Sequence, residues 1–411
     1  MRIHHWSLGS IVKGQTKKMN KETLIIDTFE KFVEYNNGLK GLISLNIDEV
    51  DYERNVITVD GCEWDIDTFL FDFVTNKTHY IAKNIKLLKQ YEFQRLYSML
   101  YPEEFKENLY YFARNLLMLG ETTFILWEFE VAIKSDNTTP FGLTIISYFG
   151  SKIRRFVRIP YGITAIGNSI FYAYHQIEKV ELPLTIKFIG NEAFQATGLD
   201  AIEIPDSVEV ICESAFRDCQ FLRSVKLSNN LKYLGDHAFE NTAIAEISIP
   251  GTVKEIGMAT FYDNVKLRKV NLSEGLEIIN PDAFASTAIE RIKIPSTVTV
   301  LKGNSFGGCC SLREVKFSEG LKKIDYEAFS FDNYLKEIKI PDSVEEIGDS
   351  AFSGCKKLNK INIPINLTKL GRNVFKETPI GDTFWHRVTK LSAYDGEELD
   401  LERLKGITIE V

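Results

Sequence analysis

Ten phenylalanines recur at intervals of 22 or 23 residues through the second half of this 411-residue chain. They are Phe171, Phe194, Phe216, Phe239, Phe261, Phe284, Phe306, Phe329, Phe352 and Phe375. A fixed period of this length is typical of repeat architectures, in which each unit is too small to bury a core alone and is stabilised by its neighbours. Stacking would place the ten rings in one buried column. We therefore predict a repeat solenoid rather than three separate globular domains.

Each repeat also carries a short triplet in which an apolar residue, any residue and a second apolar residue follow one another. Such alternation predicts a very short strand with two inward side chains. Proline follows most of the triplets, which fits because proline cannot extend a strand ladder. The triplets are Val157–Ile159, Val180–Leu182, Ile202–Ile204, Val225–Leu227, Ile247–Ile249, Val270–Leu272, Ile292–Ile294, Val315–Phe317, Ile338–Ile340 and Ile361–Ile363. The solenoid is thus predicted to contain short parallel strands, one triplet to a repeat.

The combined pattern L-x-x-I-x-I-P-x-x-V-x-x-I-G-x-x-A-F-x-x-C-x-x-L resembles the leucine-rich repeats of the BspA-like, or Treponema pallidum-type, class. The segment LKEIKIPDSVEEIGDSAFSGCKKL at 335–358 fits nearly every position, and the resemblance extends over residues 150–380. It implies a curved solenoid that recognises protein partners or host surfaces without catalysis. Many members of the class are secreted or displayed on surfaces, so the resemblance by itself implies an exported protein.

The chain is predicted to contain an N-terminal tail at 1–19, a small α+β domain at 20–142, the solenoid at 143–380 and a C-terminal cap at 381–411. The α+β domain is also expected to cap the solenoid, because the terminal repeats of such an array need covering. Tyr148 lies 23 residues before Phe171 and marks a degenerate first repeat. Trp385 and a final strand at Ile407–Val411 are the candidates for closing the other end.

Within the α+β domain, apolar alternation predicts strands and a long helical region. The predicted strands are Leu42–Ile47, Asn55–Val59 and Thr123–Ile133. Two helices are predicted between Tyr80 and Gly120, with a break at Tyr101-Pro102, because the residue before a proline disfavours the helical conformation. No family resemblance accompanies these elements.

Composition excludes several function classes. The net charge is −8, which disfavours general nucleic-acid binding. The six cysteines form no C-x-x-C pair or zinc spacing, so we predict neither a disulfide framework nor a metal site. No signal peptide and no apolar run long enough to span a membrane is recognisable. A cytoplasmic or virion-associated protein is expected, with leaderless surface display as the alternative and Met19 as an alternative start.

The outward positions of the predicted strands form the main candidate site. These positions hold nine bases and five acids, although the chain as a whole is acidic. The bases are Arg158, Lys179, Lys226, Lys269, Arg291, Lys293, Lys316, Lys339 and Lys360. The predicted binding residues are Lys226, Lys269, Arg291, Lys293, Lys316 and Lys339, which would bind an acidic protein partner. The alternative is a solvated face whose lysines prevent aggregation of exposed strands.

Other residues carry weaker indications. The acidic segment 48–72 could dock a basic protein or mimic nucleic-acid phosphates, but exposed hairpin faces are the favoured explanation. Cys219, Cys309 and Cys355 share one position of the repeat, three residues after the recurring phenylalanine, and are predicted to be buried rather than reactive. His4-His5 could bind a metal only with partners that the sequence does not identify.

None of the common nucleophile, phosphate-binding, zinc-protease or dinucleotide-binding motifs occurs, so neither a catalytic residue nor a cofactor is predicted. The leading hypothesis is a non-enzymatic recognition scaffold, intracellular or phage-borne, that binds a partner protein through its strand face. The second hypothesis is a surface or exported adhesin. The third is an unrecognised enzymatic activity in the N-terminal domain.

Overall fold

The structure, a computed structural model, describes most of the chain. The described residues are 43–75, 80–88, 90–118, 122–134, 142–150, 153–381 and 404–411, with single positions within 31–37 and at 383–384. The chain divides into two compact units, one formed by residues 1–50 and 56–120 and the other by 51–55 and 121–411. The predicted tail at 1–19 and Trp385 lie outside the described residues, and the predicted domain limits stay predictions.

The first unit is a small α+β unit, as predicted. Its four described strands have the order β3-β2-β1-β4, with β1 parallel to β4 and β2 antiparallel to β3. The helical region breaks at Tyr101, immediately before Pro102, as the sequence indicates. The elements are β1 (Ile43–Asp51), β2 (Val56–Val59), β3 (Cys62–Asp65), α1 (Ile66–Thr75), β4 (Tyr80–Lys83), α2 (Gln90–Leu100) and α3 (Pro102–Met118). The sequence did not predict β3, α1 or β4.

The second unit begins with three strands that lead into the solenoid. They are β5 (Thr123–Leu126), β6 (Phe129–Lys134) and β7 (Gly142–Tyr148). β5 pairs with β6 and β6 with β7 in antiparallel fashion, whereas β7 pairs in parallel with the first short strand of the repeats at Ala165–Ile166. The antiparallel hairpin therefore closes one end of a parallel stack.

Two sets of short parallel strands form the solenoid. The first set overlaps the predicted triplets, and each of its strands begins one residue before the triplet. It consists of β8 (Phe156–Arg158), β10 (Lys179–Glu181), β12 (Ala201–Glu203), β14 (Ser224–Lys226), β16 (Glu246–Ile249), β18 (Lys269–Leu272), β20 (Arg291–Lys293), β22 (Glu314–Lys316), β24 (Glu337–Ile338) and β26 (Lys360–Asn362). Each strand carries an apolar side chain inward, and most of these side chains are fully or nearly buried. This arrangement leaves the residues on either side of the inward one facing outward.

The second set was not predicted, because each of its strands has only two residues. These strands continue from β7 as one sheet, which contains thirteen strands among the described residues. The set consists of β9 (Ala165–Ile166), β11 (Phe188–Ile189), β13 (Val210–Ile211), β15 (Tyr233–Leu234), β17 (Glu255–Ile256), β19 (Ile278–Ile279), β21 (Val300–Leu301), β23 (Lys323–Ile324), β25 (Glu346–Ile347) and β27 (Lys369–Leu370). Its second residue is the isoleucine or leucine of the V-x-x-I-G step, which is inward and almost always buried.

The ten recurring phenylalanines form one stacked column, as predicted. Consecutive rings lie 5.1–6.1 Å apart between centroids, with interplanar angles of 2–14°. Tyr148 lies 5.0 Å from Phe171 at one end, and Phe384 lies 4.9 Å from Phe375 at the other. Aromatic side chains from outside the repeat therefore cover both ends of the column.

The turns beside the column have an unusual backbone. The residues two before and two after each ladder phenylalanine have φ between 50° and 73°. The two left-handed residues flank the phenylalanine, and alternate N–H groups of the turn donate to the next coil. In one turn, Ser214, Phe216 and Asp218 each donate a backbone hydrogen bond of 2.8–2.9 Å to the next coil. Backbone hydrogen bonds between successive coils thus pair the buried polar groups of the turns, as the hydrogen bonds of a ladder do in a strand.

The last described strand reverses direction. β28 (Thr408–Glu410) pairs antiparallel with β26, and Ile409 lies opposite Ile361. Lys360 and Glu410 reinforce this pair with an ion pair of 3.0 Å. The predicted final strand is present and covers the edge of the first strand set.

Candidate functional site

The outward surface of the first strand set, here called the strand face, carries the six predicted binding residues. Lys226, Lys269, Arg291, Lys293, Lys316 and Lys339 are all exposed. They face outward because each lies directly beside an inward residue, and successive side chains of a strand point to opposite sides. The structure thus places the six predicted residues on one surface.

One predicted outward base does not follow this rule. Arg158 is only 9% exposed, and its Nε donates a hydrogen bond of 2.8 Å to Glu181 on the next strand. Its guanidinium carbon also lies 5.7 Å from the ring centroid of Phe156. The prediction that Arg158 is exposed is wrong, because an aromatic neighbour and a carboxylate together cover it.

Opposite charges pair across coils over much of the strand face. Lys226 forms an ion pair with Glu203, one coil earlier, and this contact raises the pKa of Lys226 above its usual value. Lys269 lies 3.3 Å from Glu246 in the same relation. Both pairs are exposed, and such pairs contribute little to stability. Their effect is to leave these parts of the face with almost no net charge.

Like charges meet on β20 and β22 and directly after β24. Lys293 and Lys316 are direct partners in the register of β20 and β22, and Lys339 occupies the same position of the next coil. Like charges opposite one another on neighbouring strands are destabilising. Glu314 lies 2.9 Å from Lys316 and offsets part of its charge, whereas Lys293 and Lys339 form no ion pair with any described residue. We call Lys293, Lys316 and Lys339 the lysine row.

A groove of about 660 Å³ adjoins the lysine row. Its charged lining consists of five bases and two acids: Arg291, Arg313, Lys316, Lys339, Lys360, Glu314 and Glu337. Glu314 is held between Arg291, at 3.5 Å, and Lys316, and the hydrogen bond from Lys316 lowers the pKa of Glu314. The groove therefore presents an excess of positive charge at neutral pH.

A second depression on the same face provides a contrast. It has a volume of about 320 Å³ and lies over β14 and β16. Its charged lining is limited to Arg223, Lys226 and Glu246, and Lys226 is already paired with Glu203. The concentration of positive charge is thus a property of the groove rather than of every depression between coils.

Tyr334 and two cations border the groove. The Nζ atom of Lys357 lies 3.9 Å from the centroid of the Tyr334 ring, and the guanidinium carbon of Arg313 lies 5.8 Å from it. Arg313 also lines the groove. Cation–π contacts of this kind hold flexible cationic side chains near one position. These three residues were not predicted from the sequence, because they lie outside the outward strand positions.

The acidic segment in the first unit has structural contacts. Oδ1 of Asp65 accepts a hydrogen bond of 3.0 Å from the backbone N–H of Thr68 at the start of α1. Asp67 is buried and lies 2.7 Å from Arg95, which also lies 3.1 Å from Glu92. These contacts account for two of the acids without a partner protein. They favour the structural interpretation of the segment over the docking one.

The three cysteines that share a repeat position are buried, as predicted. Each thiol donates to the backbone oxygen of the ladder phenylalanine one coil earlier, for example Cys309 to Phe284 at 3.2 Å. Burial raises the pKa of the Cys219 thiol to about 11, so that it stays protonated at neutral pH. Among the described residues, no group of three or more possible metal ligands occurs, and His4-His5 lie outside them.

The same buried column contains one carboxyl group. Its members, three residues after each ladder phenylalanine from Phe194 to Phe375, are Thr197, Cys219, Thr242, Asn264, Thr287, Cys309, Asp332, Cys355 and Thr378. Asp332 is completely buried between the coils of Cys309 and Cys355, and no described donor makes a hydrogen bond of ordinary geometry to its oxygens. Burial, with a smaller contribution from Cys310, raises the pKa of Asp332 well above its usual value. The structure therefore favours a neutral Asp332.

Comparisons with known proteins concern the repeats. A family model described as a BspA type leucine rich repeat region matches residues 147–268 and 254–381, more than half of the chain, with six copies. No curated protein matches the chain. Within the described residues, no helix is both long enough and apolar enough to cross a membrane.

Three solved structures illustrate the similarity. A leucine-rich repeat protein from Bacteroides ovatus has 24% identity, a TM-score of 0.34 and coverage of 62% of this chain and 92% of its own. A leucine rich cell surface protein from Faecalibacterium prausnitzii has 20% identity, a TM-score of 0.34 and coverage of 64% and 96%. The T. pallidum leucine-rich repeat protein has 22% identity, a TM-score of 0.38 and coverage of 57% and 90%.

Proposed function

Because the chain belongs to the family of BspA-type leucine-rich repeat proteins, whose stacked repeats generally serve as binding surfaces, we propose that it is a non-enzymatic scaffold for protein recognition. Its strand face would bind an acidic partner protein through Lys226, Lys269, Arg291, Lys293, Lys316 and Lys339. The observation that carries the proposal is the lysine row. Aligned like charges reduce the stability of the solenoid. A partner that neutralises them would remove this repulsion, and the free energy released would favour binding.

The six residues would contribute unequally. Lys226 and Lys269 are paired with Glu203 and Glu246, so a partner would have to displace those carboxylates. The lysine row and Arg291 lie beside the groove, where bases outnumber acids. Electrostatic attraction at such a surface acts mainly on the rate of association and on specificity. The centre of the proposed binding surface is therefore the lysine row.

Charge reversal tests this proposal. A variant with Arg291→Glu, Lys293→Glu, Lys316→Glu and Lys339→Glu should lose an acidic protein that the wild-type chain captures from native lysate. Its thermal unfolding should change little, because the four side chains are exposed. A control with Lys187→Glu, Lys232→Glu, Lys254→Glu and Lys322→Glu carries the same charge change beside the second strand set. Equal capture by wild type and the first variant would contradict the proposal.

Two locations are proposed for the protein. An intracellular or virion-associated protein is one proposal, and a surface or exported adhesin is the other. The adhesin is favoured by the F. prausnitzii relative, which is described as a cell surface protein. Protease treatment of intact cells distinguishes the two, since only a surface protein is digested while a cytoplasmic marker survives. An enzymatic activity of the N-terminal domain stays a hypothesis.

A further inference from the structure

The spacing of the lysine row restricts the shape of an acidic partner. Lys293 and Lys316 lie opposite each other on adjacent parallel strands, and Lys339 extends the row by one coil. Neighbouring strands are separated by about 4.8 Å, so the row spans about 9.6 Å from first to last. The row runs at right angles to the strands. A partner that contacts all three lysines must therefore present three acids in a line along the stacking direction.

An α-helix meets this spacing. Residues three or four apart on one face have Cβ atoms about 5–6 Å apart, and residues seven apart are separated by about 10.5 Å along the axis. An extended segment places side chains on one face at about 6.8 Å, so that three of them span about 13.6 Å. We propose that the lysine row binds an acidic α-helix whose carboxylates recur at i, i+3 or i+4, and i+7. This inference rests on the proposed function, because it names the partner's binding segment.

The surroundings of the row support a carboxylate ligand. At the border of the groove, Arg313 and Lys357 are both held near the ring of Tyr334. Cations that are already positioned lose less side-chain entropy when they bind an anion. Arg313 precedes Lys316 on the same coil, so it would contact an acid on the flank of the helix, beside the row.

Synthetic peptides test the shape directly. One fluorescent probe is an alanine-rich peptide of about 18 residues with glutamates at i, i+4 and i+7, a length at which such sequences form helix. The other is a threonine- and valine-rich peptide of equal length and charge with alternating glutamates, which favours the extended conformation. Binding of both to the full chain is measured by fluorescence anisotropy at low salt, because salt screens exposed charges. We expect the helical peptide to bind at least tenfold more tightly.

Variants of the chain identify the contact. Lys293→Gln and Lys339→Gln should each weaken binding of the helical peptide about fivefold. Lys232→Gln is the control, because Lys232 is an exposed lysine beside the second strand set, outside the proposed binding residues, and it should change binding less than twofold. Equal loss in all three variants would overturn the assignment to the lysine row.

The outcomes separate this inference from the proposed function. Equal or tighter binding of the extended peptide would overturn the helical partner but leave an acidic partner in place. Binding of neither peptide would overturn both. Heparin serves as a further probe: its binding in the absence of peptide binding would indicate an anionic polysaccharide and would also overturn the inference.

Discussion

Replacing Asp332 with asparagine should stabilise the solenoid and change how its stability depends on pH. Asp332 is completely buried, and burial raises its pKa well above the usual value of 3.8. Two flanking members of the column, Cys309 and Cys355, are thiols that donate to backbone oxygens. A donor is thus what this column accommodates. An asparagine amide supplies a hydrogen-bond donor at every pH. An aspartic acid side chain supplies one only while it is protonated.

The sign of the pH dependence follows from proton binding. The unfolded chain releases the Asp332 proton as the pH rises through about 3.8, whereas the folded chain retains it up to its raised pKa. Between these two values the unfolded state binds fewer protons, so the free energy of unfolding falls with increasing pH. Each pH unit in this window removes about 1.4 kcal/mol of stability from the wild-type protein. Asp332→Asn abolishes this loss.

The assay is urea unfolding at a series of pH values from 5 to 8, followed by circular dichroism. The wild-type free energy of unfolding should fall relative to that of Asp332→Asn by about 1.4 kcal/mol per pH unit while Asp332 stays protonated. Asp263→Asn removes an exposed carboxyl group from the corresponding turn of another coil and is the control. Parallel curves for wild type and Asp332→Asn would refute the reasoning, because they would show an ordinary pKa in the folded state.

Two further substitutions test the stacking of the coils. Phe239→Ala removes a buried ring that lies 5.1 Å from Phe216 and 5.7 Å from Phe261. Urea unfolding should therefore show a free energy of unfolding lower by about 3–5 kcal/mol. A loss below about 1 kcal/mol would mean that the column relaxes around the gap. Gly308→Ala should cost about 1 kcal/mol in the same assay, because Gly308 has φ +69° while an added Cβ would meet no atom closer than 3.6 Å. An unchanged stability would show that the left-handed turn imposes no strain.

The sequence predicted those features of the fold that repeat with one period. The column of phenylalanines and the first strand set follow from positions that recur in every unit, so each repeat supports the same interpretation. The second strand set was not predicted, because two residues, as in β13, are too few to show alternation. The left-handed turns were not predicted because their residues are not the expected ones. Residues such as Ala196 and Glu327 occupy them, whereas glycine is the usual signature of positive φ.

The candidate site was also predicted only in part from the sequence. Alternation along a strand was sufficient to predict that Lys293, Lys316 and Lys339 share one face. The register between coils places Lys293 opposite Lys316 and Lys226 opposite Glu203, so it decides which lysines of the strand face meet a like charge and which meet a carboxylate. Tyr334 lies in a turn, and only the three-dimensional structure shows that Arg313 approaches its ring. Residue type and spacing therefore predict the surface, whereas its charge balance is a property of neighbouring coils.

The reversed direction of β28 has a consequence for self-association. A stack of parallel strands can in principle grow without limit, because its last strand offers the next chain the same unpaired backbone groups as every strand before it. β28 runs antiparallel to β26, with Ile409 opposite Ile361. The hydrogen-bonding pattern at this edge of the first strand set is therefore no longer that of a solenoid coil, and a parallel strand of another molecule would meet no matching edge there. β28 would in this way oppose end-to-end growth of the first strand set.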